Sequence, residues 1–197
     1  MLKTCIHKLL CGLNAYCTFE PATRQMAKIY FSTGSNQGNR LLLLAEAATL
    51  INRQVGRVMQ YSQVFETEPW GFDADTSFFN QVLVVDTNLG PHEVLEQILL
   101  IEQALGRKRI GNGYSSRTMD IDILFYDDLQ LADERLVIPH PELHKRKFVL
   151  FPLAEVAPGL IHPVTGTSVA ELLNGLQDNT HISVAAETNE FARLFKP

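Results

Sequence analysis

The chain has 197 residues, 46% hydrophobic and 20% charged, with a formal net charge of −5. That length and composition support one packed domain and exclude wholesale disorder, and the acidic balance excludes general nucleic-acid binding through a basic surface. No window approaches the ~20 apolar residues of a membrane helix, so a cytoplasmic, monomeric protein with no membrane or nucleic-acid partner is expected. All three cysteines, Cys5, Cys11 and Cys17, lie in the first 17 residues. An odd count confined to one end argues against a disulfide framework, and their spacing with His7 fits no common zinc pattern, so they read as free thiols. The leader carries Lys3 and Lys8 before a short apolar patch. It lacks a sustained apolar run and a small-residue cleavage site, which argues against a signal peptide. Residues 1–25 are expected to be a loosely ordered extension ahead of Met26.

Residues 27–33 predict a first strand, followed by the Gly34-Ser35-Asn36-Gln37-Gly38-Asn39 turn. A helix is expected over 40–53, because Leu41, Leu44, Ala45, Ala48 and Ile51 recur at helical spacing. Residues 57–66 predict a second strand, 67–77 a loop marked by Pro69 and Gly71, and 78–87 a third strand. Pro91 opens a second helix, with Val94, Ile98, Ile101 and Leu105 on its core face and Gly106 at its end. The loop 107–117 leads into a strand containing Asp120-Ile121-Asp122. A hairpin-like turn near Asp127-Asp128, the His140 region and an apolar segment Phe148–Leu153 follow. Ser168 with Glu171 forms a capping box for a short helix, and 188–195 is a last amphipathic stretch. The order β-α-β-β-α-β indicates an α+β fold with a ferredoxin-like βαββαβ core, its mainly antiparallel sheet packed with helices. One domain is expected over 26–180, with 181–197 a tail carrying a short helix.

The most informative stretch is Arg117-Thr118-Met119-Asp120-Ile121-Asp122-Ile123-Leu124. Its alternation reads as a strand, and side chains at i and i+2 leave a strand on one face. Asp120 and Asp122 therefore point together, while Met119, Ile121 and Ile123 point into a core. Their Cα atoms would lie roughly 6.5–7 Å apart. Two carboxylates so spaced can share a pair of Mg2+ ions about 3.5–4 Å apart, whose other positions take water or phosphate oxygen. The alternative is a pair of surface aspartates on a half-exposed strand. Arg117 and the acid-free run Arg107, Lys108, Arg109 weigh against it. That run and Lys145-Arg146-Lys147 point to a local anionic ligand, although each alone also fits a solvated face.

Gly34-Ser35-Asn36 has the setting of a phosphate loop but lacks the Gly-Lys-Ser/Thr ending, and no G-x-G-x-x-G occurs. A turn and helix cap is the better reading, so nucleotide binding must come from arginines and metal. Glu102 sits at the edge of its helix's apolar stripe, either as a salt-bridged rim residue or as a group orienting an arginine of the basic loop. His140 is restricted between Pro139 and Pro141. Trp70, Phe78 and Phe148 fit an ordinary core. Asn80 interrupts an apolar strand, and a buried amide must be hydrogen-bonded. With aromatics around it, that amide suits a flat heterocycle rich in donors and acceptors.

Taken in order, Gly34-Ser35-Asn36, Thr67-x-Pro69-x-Gly71, Phe79-Asn80, Glu102-x3-Gly106-Arg107, Arg117-x2-Asp120-x-Asp122, Pro139-His140 and Arg146-x-Phe148 resemble a known family. Over about residues 28–165 the chain is similar to the 6-hydroxymethyl-7,8-dihydropterin pyrophosphokinases of folate biosynthesis. The resemblance implies transfer of the β,γ-pyrophosphoryl group of ATP, the co-substrate, to the pterin hydroxymethyl oxygen, with release of AMP. It implies two Mg2+ ions on Asp120 and Asp122, and catalytic roles for these two residues with Arg107 and Arg117. It implies ATP contacts from Glu102, Arg107, Arg109, Tyr114, Arg117, Ile123, Arg135, His140 and Arg146. The implied pterin site comprises Thr67, Pro69, Trp70, Gly71, Phe78, Asn80, Asp120 and Phe148, with the ring between Phe78 and Phe148. Loops 67–77 and 106–117 would close over the substrates.

The chain departs from that pattern in places. Gly113 and Ser115 stand where a basic residue and a glycine are frequent, Tyr114 where Trp is, Phe78 where Tyr is, and Pro141 where an aromatic is. No second enzyme domain is expected in this chain. Two alternatives stay open: an Mg2+-dependent transferase for another acceptor, and a non-catalytic pterin- or nucleotide-binding module. An assay with and without the pterin alcohol separates the first, and the Mg2+ dependence of ATP binding the second.

Overall fold

The computed structural model describes residues 26–71, 75–107, 116–185 and 188–197. Two long strands, β1 (Ala27–Ser35) and β4 (Phe78–Thr87), pair antiparallel along their whole length, from Ala27 opposite Thr87 to Ser35 opposite Phe79. Their apolar halves, 29–31 and 82–85, are covered on both faces, which is why they read as apolar runs rather than alternating ones. Between β1 and β4 the chain forms α1 (Arg40–Gln54), β2 (Arg57–Tyr61) and β3 (Phe65–Thr67), and α2 (Pro91–Ala104) leads on to β5 (Asp120–Tyr126). β5 lies antiparallel beside β1, and β2 and β3 lie on the other side of β4. The sequence-based expectation of a ferredoxin-like α+β core with an antiparallel sheet is borne out.

Three elements differ from that expectation. The strand expected over 57–66 is broken at Ser62. There the Ser62 N–H donates to the Val82 carbonyl, its hydroxyl accepts from the Val82 N–H, and Gln81 Nε2 donates to its carbonyl. The apolar segment 148–153 is part of a helix, α3 (Lys147–Val156), whose Val149, Leu150 and Leu153 are buried; Pro152 inside it forgoes one backbone donor. The region assigned to the tail contributes a strand, β8 (Ile182–Val184), paired with β3. Between α3 and β8 lies α4 (Val169–Gly175), with the expected Ser168/Glu171 capping box. α5 (Thr188–Leu194) follows β8 and packs on α1. The small hairpin of β6 (Leu131–Ala132) and β7 (Val137–Ile138) stands apart from the main sheet.

The two faces of the sheet have different fates. Ile29, Phe31, Leu83, Val85, Ile121 and Ile123 join α1 and α2 in the main core. Each fully buried aliphatic side chain there contributes on the order of 1.5–3 kcal/mol. The opposite face carries Tyr30, Val82, Val84 and Leu124 under α3 and α4. Further along the same face, Ser32, Gly34, Phe78, Asn80, Asp120 and Asp122 continue those alternate positions and line a cleft of about 180 Å³ instead. Stability resides in one core and half of the second, and the remaining half-face is left to polar groups.

Candidate active site

Register builds the cleft floor. Gly34 stands opposite Asn80 on β4 and opposite Asp120 on β5, and Ser32 stands opposite Asp122. Asp120 and Asp122 therefore share the cleft face, as their spacing predicts, while Met119, Ile121 and Ile123 are buried in the main core. Asn80 is 3% exposed, and its Nδ2 donates to Thr67 Oγ1 at 2.7 Å. A Cβ on Gly34 would come within 3.0 Å of Asn80 Oδ1, so only glycine leaves this amide undisturbed. Gly34-Ser35-Asn36 is thus neither a phosphate loop nor the helix cap. Asn39 caps α1, its Oδ1 accepting from the Leu42 N–H.

The cationic side of the cleft is already engaged with carboxylates. Asp120 accepts from Arg107 at 2.6 Å on one oxygen and lies 2.9 Å from Arg117 on the other. Glu102, read as either a rim residue or a group orienting an arginine of the basic loop, is 3% exposed; it pairs with Arg107 and accepts from the Ile121 N–H at 2.9 Å. It therefore ties the end of α2 to β5 and aims a guanidinium into the cleft. Burial alone would lower the Arg107 pKa, but Asp120 and Glu102 outweigh it and raise it. Arg146 is 3.7 Å from Asp122, with its guanidinium 5.2 Å from the centre of the Trp70 ring and 5.9 Å from that of Phe148.

His140 is anchored to β5 by its N–H, which donates to the Leu124 carbonyl. Its Nδ1 accepts from the Glu142 N–H, which places the ring proton on Nε2, 4.0 Å from Asp122. Burial and the nearby Arg146 push its pKa down to about 4. Asp122 moves the other way, up to about 7, through burial and the charge of Asp120, against the pull of Arg146 and Arg117. Two carboxylates that repel each other in a half-enclosed site are a fitting donor set for a divalent cation. Among the described residues no group of three or more His, Cys, Asp or Glu side chains is placed to hold a metal ion. The pair supplies the few hard oxygens that Mg2+ accepts, leaving positions for water and phosphate.

Of the residues singled out in the sequence, Thr67, Trp70, Phe78, Asn80, Arg107, Arg117, Asp120, Asp122, His140, Arg146 and Phe148 all line the cleft. Pro69 and Gly71 flank Trp70 in its loop. Ile123 points into the main core, and Arg135 is exposed and paired with Glu96 on α2 at 3.3 Å. Arg109 and Tyr114, with Gly113 and Ser115, lie outside the described residues. Ser32, Gly34 and Glu68 line the cleft unforeseen. For the first two a signal existed: Ser32 and Gly34 follow Tyr30 at period two in a buried strand.

Fold and cleft define a class: a ferredoxin-like α+β protein whose sheet presents paired carboxylates among arginines, beside a buried amide with aromatic walls. Residues 30–158 match the family model of 7,8-dihydro-6-hydroxymethylpterin-pyrophosphokinase (HPPK), and the chain belongs to this family. The 2-amino-4-hydroxy-6-hydroxymethyldihydropteridine pyrophosphokinase of Porphyromonas gingivalis is 41% identical over 145 residues, 72% of this chain and 98% of that one. The protein of that name from Methylorubrum extorquens is 42% identical over 149 residues, 75% of this chain and 92% of that one. Among solved structures, an HPPK-DHPS in complex with substrates has a TM-score of 0.65 at 14% identity, covering 76% of this chain and 43% of that one. An HPPK-DHPS of Plasmodium falciparum gives 0.64 at 17%, with 76% and 43% covered. This chain thus spans less than half of either, and at such identities the likeness shows the fold alone.

Proposed function

We propose that the protein transfers the β,γ-pyrophosphoryl group of ATP to the hydroxymethyl oxygen of 6-hydroxymethyl-7,8-dihydropterin, releasing AMP, as an Mg2+-dependent diphosphotransferase of folate biosynthesis. Family membership supports the reaction. The observation that carries its location is the row of Asn80, Gly34 and Asp120 across three adjacent strands. It sets an amide suited to a pterin edge two strands away from a carboxylate suited to a metal-bound phosphate, with only Gly34 between them.

In this reading the hydroxymethyl oxygen bonds to the β-phosphorus, the bond between that phosphorus and the α,β-bridging oxygen breaks, AMP leaves with that oxygen, and the hydroxyl proton passes to solvent. Asp120 and Asp122 would hold two Mg2+ ions, which when bound neutralise and orient the polyphosphate. Arg107 and Arg117 stand on Asp120 until a polyphosphate arrives, then turn to its oxygens and free the carboxylate. Arg146 and the Nε2–H of neutral His140 add donors from the other side. Phe78 and Phe148 would sandwich the pterin, with Trp70 beside them. Asn80 keeps its oxygen and one N–H for the ring, since Thr67 takes only the other. Thr67 and the Pro69–Gly71 backbone complete that edge.

Glu102 would act through Arg107, Ile123 through its backbone, and Arg109 and Tyr114 from the loop before Arg117. Arg135 would have to leave Glu96 to reach a nucleotide. Such catalysis consists of positioning and electrostatic stabilisation. The protein would act as a monomer in the cytoplasm; no helix among the described residues is long and apolar enough to cross a membrane. Incubation with ATP, Mg2+ and the pterin alcohol is expected to release AMP. AMP release independent of the pterin, or none at all, would overturn the proposal.

A further inference from the structure

The C-terminal segment lies beyond residues 30–158, which match the family, yet it closes on both walls of the acceptor pocket. On one side β8 pairs with β3, setting Ile182 opposite Thr67 and Ser183 opposite Glu66. The Ala185 N–H extends the ladder to the Val64 carbonyl at 2.9 Å. Without β8, the three-residue β3 would be an edge strand with an unpaired row of backbone groups. Its last residue, Thr67, is the one whose hydroxyl orients the Asn80 amide.

On the other side the same segment reaches the start of α3. Asp178 Oδ2 accepts from the Lys147 N–H at 3.4 Å, and Lys147 Nζ donates to the Thr180 carbonyl at 2.8 Å. Asp178 Oδ1 accepts from the Thr180 N–H at 2.8 Å, which braces the carboxylate. An acidic group at a helix N-terminus satisfies an orphan donor and complements the helix dipole. Arg146 and Phe148, on either side of Lys147, both line the cleft. The far end is fastened by α5, where Phe191 is buried against Tyr61 and the Lys196 N–H donates to Thr49 Oγ1.

We propose that residues 176–185 form a strap that positions the pterin-side pocket, through β8 on Thr67 and through Asp178 on the α3 turn carrying Phe148. The strap sets affinity for the acceptor more than for ATP. This inference rests on the reaction proposed above, and Asp178 is a positioning residue with no substrate contact of its own.

The test is steady-state AMP formation by the full chain and its Asp178→Ala, Asp178→Asn and Lys147→Met variants. Asp178→Ala is expected to raise KM for the pterin alcohol by about five- to tenfold, with KM for ATP within about twofold. Asp178→Asn, whose side-chain oxygen still accepts from the Lys147 N–H, recovers most of the loss. Lys147→Met removes the second tie while keeping the helix N–H, and shifts the same constant by less. It also keeps the test available if Asp178→Ala folds poorly. An unchanged pterin KM in both Asp178→Ala and Lys147→Met would overturn the strap, as would equal losses toward both substrates. A wild-type chain that forms no AMP would instead overturn the function and leave the strap geometry aside.

Discussion

Asn36 grips Arg117 by its backbone from both ends: Asn36 Oδ1 accepts from the Arg117 N–H at 2.8 Å, and the Asn36 N–H donates to the Arg117 carbonyl at 3.3 Å. Its side-chain Nδ2 donates to Ser116 Oγ at 3.0 Å, and the Asn36 backbone carbonyl accepts from Thr76 Oγ1 at 2.7 Å. One residue at the end of β1 thus pins the last residues of both loops that border the cleft. Arg117 in turn stands on Asp120.

Replacing Asn36 with Ala removes its side-chain bonds and leaves the Arg117 N–H without a partner. A loss of about 1–3 kcal/mol is expected for such an orphaned donor. Thermal unfolding should show it, together with a larger drop in kcat/KM toward both substrates than stability alone accounts for. Wild-type kcat/KM at a temperature where the variant is fully folded would refute the coupling of the loops to the site.

Gly34→Ala tests the cleft floor. The new Cβ would press on Asn80 Oδ1 at 3.0 Å, whereas the nearest Phe78 atom is 3.9 Å away. The amide must yield by a few tenths of an ångström, and its bond to Thr67 resists. KM for the pterin alcohol is expected to rise by roughly tenfold while KM for ATP holds, a split read directly from initial rates. Equal effects on both would mean that Gly34 shapes the nucleotide side instead.

Asp122→Asn should separate stability from activity. The folded-state pKa of Asp122, about 7, lies above the 3.8 of an ordinary aspartate, so the folded chain holds the proton more tightly. Stability from this group is present below pH 3.8 and is lost as pH rises through 7, so the ionised carboxylate costs stability at pH 8. The variant, free of substrate and Mg2+, is expected to melt a few degrees above wild type at pH 8 and to form no AMP. Asp120→Ala should likewise abolish AMP formation with the fold retained. Activity surviving in both variants would sink the metal assignment.

His162 gives the opposite pH signature. Its ring is 6% exposed and packs edge-on to Phe125, and Nδ1 accepts from the Val164 and Thr165 N–H groups. Burial, then the charge of His144, lowers its pKa below the ordinary 6.5. The unfolded chain therefore takes up the proton first, and stability is full above pH 6.5 and falls as pH drops below it. His140 adds to this slope down to about pH 4. Because Asp122 gains stability over the same range as pH falls, the decline is read from melting curves without ligand in the Asp122→Asn background, between pH 7.5 and 5.5. His162→Asn, which keeps an acceptor near the Nδ1 position, should flatten part of it. An unaltered slope would assign the decline to other groups.

Much of the site was legible because it obeys short-range periodicity. Asp120 and Asp122 share a face for the reason any i, i+2 pair on a strand does, and the apolar residues between them declare which side is core. Asn80 announced itself as a polar residue in an apolar strand. Glu102 was legible as a choice between rim and function, and its burial against Arg107 settles where it lies. The break at Ser62 and the three-residue β3 and β8 were not legible, because strands that short carry no usable period. Helix α3 was hidden by Pro152 and by an apolar run equally suited to a strand.

The sequence by itself determined the antiparallel α+β core, the direction of the paired carboxylates and the kind of ligand that arginines, an amide and aromatic rings could hold. Its ordered motifs also determined the family. Only the tertiary structure decided that Gly34 lies between Asn80 and Asp120, that Asn36 bonds partners 40 and 80 positions away, and that Asp178 caps a helix 31 residues earlier. The physical reason is range. Periodicity expresses the geometry of one element, which neighbouring residues set among themselves. Strand register and loop-spanning hydrogen bonds depend on how several elements pack together, and no local pattern in the chain encodes that.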